Sequence, residues 1–255
     1  MAAIEAPTRR DPGFVLRPGV TVPDWSLAAA PAARRALDRI IENSGRARSW
    51  SNLTVEEDRV WQAVFAEFLA SDARPTAAAI AARQGTSETA AVTLLARLKS
   101  RDLVVLSSSG DEVRAAYPFS AEDVGYRVRL ASRQVFALCA IDALGLGAMC
   151  EAGSTIAATC RQCGAPIEAM TGRHGAALES FSPGDALVWC GLTEAHGCAA
   201  TSGCTVKTFF CRPAHLDAWR QDGRGAGDGI ALSMAEAHMV GCAIFAPMRR
   251  PARDA

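Results

Sequence analysis

An apolar segment in the middle of the chain reads Val135-Phe-Ala-Leu-Cys139-Ala-Ile-Asp142-Ala-Leu144. Its apolar residues recur at helical spacing, which predicts a helix that Ser132 caps and that the following glycines end. On a helix, Cys139 and Asp142 would project from one face. Burying a thiol and a carboxylate costs free energy unless both have partners, so the pair indicates a site. The alternative is a core cysteine beside an aspartate that caps or pairs locally.

The composition limits the class of protein. The chain has 255 residues, of which 49% are hydrophobic, enough for one large domain or two small ones with a core. Basic and acidic residues number 27 each, so no overall charge favours nucleic acid or a membrane surface. No secretory signal and no apolar run of about 18 residues is found, which predicts a cytoplasmic protein.

The nine cysteines are many for a chain of this length. In a reducing compartment, clustered thiols indicate metal chemistry or catalysis more than disulfides. Thiolates are also soft ligands and therefore favour a thiophilic metal. The nine are Cys139, Cys150, Cys160, Cys163, Cys190, Cys198, Cys204, Cys211 and Cys242.

The first half is predicted to contain an extension and a helical domain. Residues 1–53 form an extension with one short helix from Pro31 to Glu42; a partly disordered tail is the alternative. Residues 54–125 have the pattern of three helices and a hairpin, which is a winged-helix-like outline. The signals are Val60 to Leu69, Pro75-Thr76, the Thr86-Ser87 cap, and the strand runs Leu103–Leu106 and Val113–Tyr117.

The second half, residues 126–248, is predicted to be an α+β catalytic domain with a mixed or antiparallel sheet, followed by a tail at 249–255. Helices are expected from Pro213 and in the last segment through Phe245. The strand runs are Tyr126–Leu130, Thr155–Thr159, Ile167–Met170, Ala186–Cys190 and Val206–Cys211, with Ile230–Ser233 leading into the last helix.

The motif Cys160-Arg-Gln-Cys163-Gly164 is typical of half of a structural zinc site. Such a site normally needs a second close pair, and the five residues between Cys198 and Cys204 do not supply it. Structural zinc at Cys160 and Cys163 therefore stays a hypothesis. The four histidines show no HExxH or HxH pattern, so a histidine-based hydrolytic metal centre is not expected.

Three motifs together resemble the organomercurial (alkylmercury) lyase family. They are Phe136–Leu144, then Cys160-Arg-Gln-Cys163-Gly164-Ala165-Pro166, then Ser202-Gly203-Cys204 with Thr-Val-Lys-Thr-Phe209-Phe210 and Trp219 beyond. The resemblance covers roughly residues 55–248 and includes a winged-helix-like N-terminal part. It implies that Cys139 and Cys204 bind mercury, that Asp142 handles the proton, and that Cys160 is a further, structural cysteine.

The chain also departs from the family pattern. Thr205 stands where a second cysteine often follows the later catalytic one, and Cys163, Cys190, Cys198 and Cys211 are additions. Extra thiols could form a separate metal site, help to pass on the product metal, or fill the core as small hydrophobes.

The residue types suit the chemistry that the resemblance implies. Cleaving a carbon–mercury bond needs electron density on the metal, which two thiolates supply, and a proton on the departing carbon, which one carboxyl group supplies. An apolar environment would raise the pKa of Asp142 and favour its acid form. The substrate is then a small organomercurial, no cofactor is required, and cytosolic thiols or a mercuric reductase would accept Hg(II).

Two other classes remain open from the sequence. One is a winged-helix transcriptional regulator that senses a soft metal or oxidant through its thiols, although Arg97, Lys99 and Arg101 form no dense base-reading surface. The other is a zinc-stabilised binding protein without activity. Nucleic acid and membranes are not expected partners.

Overall fold

The computed structural model describes residues 13–43, 46–131, 133–192, 204–223 and 227–249. Helices and three antiparallel sheets alternate along this part of the chain, with two, eight and three strands respectively. The α+β class predicted from the sequence is confirmed.

The N-terminal segment is a hairpin followed by helices. Strands β1 (Phe14–Arg17) and β2 (Val20–Val22) pair with each other, and α1 (Pro31–Asn43) follows where the sequence predicts a helix from Pro31 to Glu42. A short helix, α2 (Arg46–Ser49), completes it. Leu16, Val22 and Leu37 are buried in the main core, so this segment is part of the folded body.

Three helices and a hairpin come next, in the predicted order. They are α3 (Val55–Ala70), α4 (Ala77–Gln84), α5 (Glu88–Ser100), β3 (Val104–Leu106) and β4 (Val113–Ala116). Thr54 and Glu57 form a reciprocal capping box at the start of α3, and Ser87 caps α5 through the backbone N–H of Ala90.

The hairpin belongs to the eight-stranded sheet. The other strands are β5 (Phe119–Ser120), β6 (Arg127–Leu130), β7 (Arg133–Ala137), β8 (Ser154–Thr159), β9 (Pro166–Thr171) and β10 (Leu178–Ser182). Their order is β10-β9-β8-β6-β7-β5-β4-β3. One sheet therefore runs from the helical region into the second half of the chain.

A three-stranded sheet and three helices make up the remainder. The strands are β11 (Leu187–Gly191), β12 (Lys207–Phe210) and β13 (Gly229–Ser233), in the order β12-β11-β13. The helices are α6 (Ala140–Met149), α7 (Pro213–Gln221) and α8 (Met234–Arg249). None of the helices in the described ranges is both long and apolar enough to cross a membrane.

The helix predicted from Ser132 through Leu144 is wrong in its first half. Residues 133–137 form strand β7, which pairs with β6 and β5, and the helix begins only at Ala140. Ser132 lies outside the described residues, and the N-cap of α6 is Cys139. An apolar run this short fits both a buried strand and a helix, and pairing with two neighbouring strands decides the outcome.

Helix α6 is buried along its whole length and packs closely against α8. A Cβ on Gly145 would lie 2.6 Å from Phe245 Cδ2 and 2.7 Å from the carbonyl oxygen of Gly241. A Cβ on Gly241 would lie 2.7 Å from the carbonyl oxygen of Ile141. The two helix backbones touch at these glycines, which fixes the position of the N-terminal turn of α6.

Candidate active site

Cys139 stands where strand β7 passes into helix α6. Its backbone is extended (φ −156°, ψ 177°), and the backbone N–H of Asp142 donates to its Sγ across 3.5 Å. The thiol therefore takes the place of the oxygen that usually caps a helix. A helix N-terminus favours negative charge on a group placed there.

Asp142 and Cys204 complete a cluster with Cys139. Asp142 lies in the first turn of α6, and Cys204 forms a turn just before β12, closed by the N–H of Lys207 donating to its carbonyl oxygen. The Cys204 Sγ donates to Asp142 Oδ2 across 3.6 Å. The two sulfurs and a carboxylate oxygen all lie within 4.8 Å of one another, and the three residues are buried. One metal ion could contact all three.

The environment keeps the Cys139 thiol protonated in the absence of substrate. Burial raises the pKa of Cys139 well above its ordinary value, and the hydrogen bond with Cys204 and the charge of Asp142 act in the same direction. The charge of Lys207 opposes them. A neutral thiol beside a carboxylate can lose its proton when a soft metal binds the sulfur.

Lys207 and Tyr126 lie beside the cluster, although sequence reasoning missed both. Lys207 is buried at the start of β12. The Tyr126 hydroxyl donates to Thr208 Oγ1 across 3.1 Å, and burial raises the pKa of Tyr126 to about 12. The available signal for Lys207 was a lysine in a mostly apolar strand, three residues after Cys204. Tyr126 was recognisable only as the start of a strand.

A small cavity opens onto the cluster. It is lined by Asp142, Cys204 and Lys207 together with Ile40, Trp50, Tyr117, Ile141, Ile244 and Phe245. The Trp50 and Tyr117 rings lie 5.2 Å apart between centroids. Ile40 and Trp50 come from the N-terminal segment, to which the sequence assigned no role at the site.

A second cluster lies at the turn between β8 and β9 and at the start of α7. Cys160, Cys163, Cys211 and His215 each offer a ligand atom within 4.8 Å of the others. The sequence singled out Cys160 and Cys163 as half of a zinc site but missed Cys211 and His215. Their separation, Cys-x3-His, was the available signal.

The other added cysteines do not join either cluster in the described residues. Cys190 is buried in β11. Cys198 and the Ser202-Gly203 pair lie outside the described ranges.

Comparison with known proteins shows the family of the chain. A family model described as alkylmercury lyase (MerB) matches residues 119–246, half of the chain, and spans both clusters. The chain therefore belongs to the alkylmercury lyase family, and its activity is that of an organomercurial lyase.

A solved structure shows the same fold. The crystal structure of the mercury-bound form of MerB2 superposes with a TM-score of 0.64 at 17% sequence identity, covering 83% of this chain and 96% of that one. No curated protein matches the chain at a significant level.

Proposed function

We propose that Cys139 and Cys204 bind the mercury of an organomercurial and that Asp142 delivers the proton that releases the hydrocarbon. The observation that carries this assignment is the convergence of the two sulfurs and a carboxylate oxygen within 4.8 Å in a buried site. Soft sulfur donors suit mercury, and a carboxyl group in hydrogen-bond reach of a thiol suits proton transfer.

In the first step, a thiol takes over the substrate from its carrier. The substrate arrives as R–Hg–SR′, where R′S is a small cellular thiolate. The Cys139 sulfur replaces R′S⁻ on mercury, and the thiol proton leaves with the carrier as R′SH. The N–H of Asp142, 3.5 Å from this sulfur, stabilises negative charge on it during the exchange.

In the second step, the other thiol adds to the same mercury. Cys204 already donates its proton toward Asp142, so the proton moves to the carboxylate as the sulfur binds mercury. Mercury then carries two sulfurs and one carbon. The extra sulfur donor increases electron density on mercury and weakens the bond to carbon, while Asp142 is now an acid held among buried groups.

In the third step, the Asp142 carboxyl group protonates the carbon bound to mercury. The carbon–mercury bond breaks, its electron pair forms the new C–H bond, and Asp142 returns to the carboxylate. The sum is R–Hg–SR′ plus two thiols giving R–H, R′SH and mercury bound to two sulfurs. No electron is gained or lost, so the reaction needs no redox cofactor.

The cavity accounts for acceptance of an apolar organic group. Ile40, Trp50, Tyr117 and Phe245 present mainly apolar surface next to the sulfur of Cys204. An alkyl or aryl group attached to mercury would be removed from water there, which favours binding.

The product needs an acceptor. Hg(II) bound to the two cysteine sulfurs would leave by exchange onto small thiols or onto a mercuric reductase, and a cytoplasmic location would supply both.

We also propose that α3, α4, α5 and the β3–β4 hairpin form a winged-helix-like unit within residues 54–125. In this account the unit supports the lyase and does not bind DNA.

The experiment is hydrocarbon release from phenylmercury in excess thiol, measured as benzene by gas chromatography. Cys139→Ser and Cys204→Ser should each abolish turnover because serine oxygen is a poor donor to mercury. Cys150→Ser changes a thiol outside both clusters and should retain full activity. Full activity in either of the first two variants would disprove the assignment.

A further inference from the structure

We propose that Cys160, Cys163, Cys211 and His215 bind one structural Zn²⁺ in a tetrahedral Cys3His site, separate from the site that binds the substrate. The residues come from two places in the chain, the turn between β8 and β9 and the segment that leads into α7. The inference goes beyond the lyase reaction and does not depend on it.

The distances agree with zinc geometry. With Zn–S near 2.3 Å and Zn–N near 2.0 Å, a tetrahedron has edges of about 3.8 Å between sulfurs and about 3.5 Å between sulfur and nitrogen. The sulfurs of Cys163 and Cys211 are 3.8 Å apart, and the Cys160 sulfur is 3.6 Å from His215 Nδ1. The Cys211 sulfur is 3.0 Å from the same nitrogen, a shorter contact that binding of a metal would lengthen.

The backbone holds the first pair in the shape of a metal-binding turn. The N–H of Gly164 donates to the carbonyl oxygen of Cys160 across 2.9 Å. The N–H of Cys160 donates to the carbonyl oxygen of Ala165 across 2.8 Å. Gly164 has a φ of +73°, in the left-handed region that favours glycine. Arg161 N–H donates to the Phe209 carbonyl oxygen across 3.0 Å, which ties this turn to β12.

The second pair is fixed by the start of α7. Cys211 directly follows the end of β12, and Pro213 begins the helix. The N–H of His215 donates to the carbonyl oxygen of Arg212 across 3.1 Å. His215 is therefore in the first helical turn, from which its ring reaches back to Cys211.

The local environment favours a thiolate at Cys160. The backbone N–H groups of Cys211, Cys163 and Gln162 donate toward the Cys160 sulfur, and His215 Nδ1 lies 3.6 Å from it. Such N–H donors to a ligating sulfur are what a metal-bound thiolate requires.

The donor set suits zinc and excludes Mg²⁺, Ca²⁺ and Mn²⁺, which prefer oxygen ligands. Three sulfurs and one imidazole nitrogen fill four positions, which is a closed structural site of the kind that Zn²⁺ occupies. A disulfide between Cys163 and Cys211 is the competing use of these thiols; their 3.8 Å separation is far longer than an S–S bond of about 2.05 Å.

A metal at this position would fix the position of the segment that carries Cys204. It would join the β8–β9 turn of the eight-stranded sheet to the end of β12, whose other end is three residues from Cys204. Zinc would thus stabilise the surroundings of the substrate site without taking part in the reaction.

The test is the zinc content of the full chain, purified under reductant and measured by plasma mass spectrometry. We expect about one zinc per chain, falling to less than about a fifth in Cys163→Ser and in His215→Ala. Cys150→Ser and Cys139→Ser, which leave the four ligands intact, should keep the wild-type content. Zinc content is read independently of activity, so a failure here leaves the lyase mechanism untouched, and the reverse also holds.

Two further measurements cover variants that fail to fold. His215→Cys would supply a fourth sulfur and should retain zinc. Cobalt(II) added to the metal-free protein should give the absorption of a tetrahedral thiolate complex, and Cys163→Ser should weaken it. Wild-type protein that takes up neither zinc nor cobalt under reductant, zinc that persists in both ligand variants, or a Cys163–Cys211 disulfide in freshly purified protein would overturn the proposal.

Discussion

The Cys204 thiol donates a hydrogen bond to the Asp142 carboxylate across 3.6 Å, although the two residues are 62 positions apart in the chain. Asp142 is held by the N-terminal turn of α6, and Cys204 by the turn before β12. The proton that the proposed reaction needs therefore has a path to the acid before substrate arrives.

Trp50→Ala should widen the cavity and change the preference among organic groups. Trp50 lines the cavity beside Cys204 and packs against Tyr117. Extra apolar volume in a pocket typically changes discrimination by about 10-fold or more. We expect kcat/KM for a naphthylmercury substrate to rise relative to that for methylmercury. The ratio within one variant corrects for lost stability, and an unchanged ratio would show that Trp50 does not contact the organic group.

Gly241→Ala should destabilise the fold and reduce activity together. The added methyl group would meet the carbonyl oxygen of Ile141 at 2.7 Å, within the helix that carries Asp142. Overpacking of this kind costs about 1–3 kcal/mol, measured as the free energy of unfolding in denaturant. Gly184→Ala is the matched control, because its Cβ would meet no atom within 4 Å. Equal stability of the two variants would contradict the close packing of α6 on α8.

Asp58→Ala should cost much more stability than loss of a surface ion pair. Asp58 forms a paired contact with Arg17, at 2.7 and 2.9 Å, and both residues are buried. Removing one partner leaves the guanidinium buried without its carboxylate, which costs about 3–5 kcal/mol.

Asp228→Ala, which breaks an exposed ion pair with Arg39, serves as the control and should cost at most about 1 kcal/mol. If Asp58→Ala lowers the free energy of unfolding no more than the control does, this ion pair does not stabilise the packing of the N-terminal hairpin on α3.

Local signals in the sequence predicted much of the secondary structure. Pro31 begins a helix as a first-turn residue and Ser87 caps one, as the sequence predicts. These signals act within a few residues, so they do not depend on contacts with the rest of the chain. Strand β7 was assigned to a helix because its short apolar run fits both periods, and only its pairing with the adjacent strand β6 and with β5 decides between them.

The functional sites show the same difference between local signals and tertiary contacts. Cys139, Asp142 and Cys204 were named from motifs, but their approach to within 4.8 Å depends on tertiary packing that no spacing reveals. Trp50 in the cavity belongs to no recognisable local pattern and was missed for this reason. His215 had one local signal, the Cys-x3-His spacing from Cys211, but its approach to Cys160 and Cys163 depends on tertiary packing.

The most direct test of the central claim is a single turnover of phenylmercury by Asp142→Asn. The asparagine keeps the shape of the side chain but cannot carry the proton to carbon. The variant should still bind phenylmercury through the thiols that remain in place, while benzene forms at least about 100-fold more slowly than in the wild type. Benzene released at the wild-type rate would contradict the role of Asp142 as the proton donor.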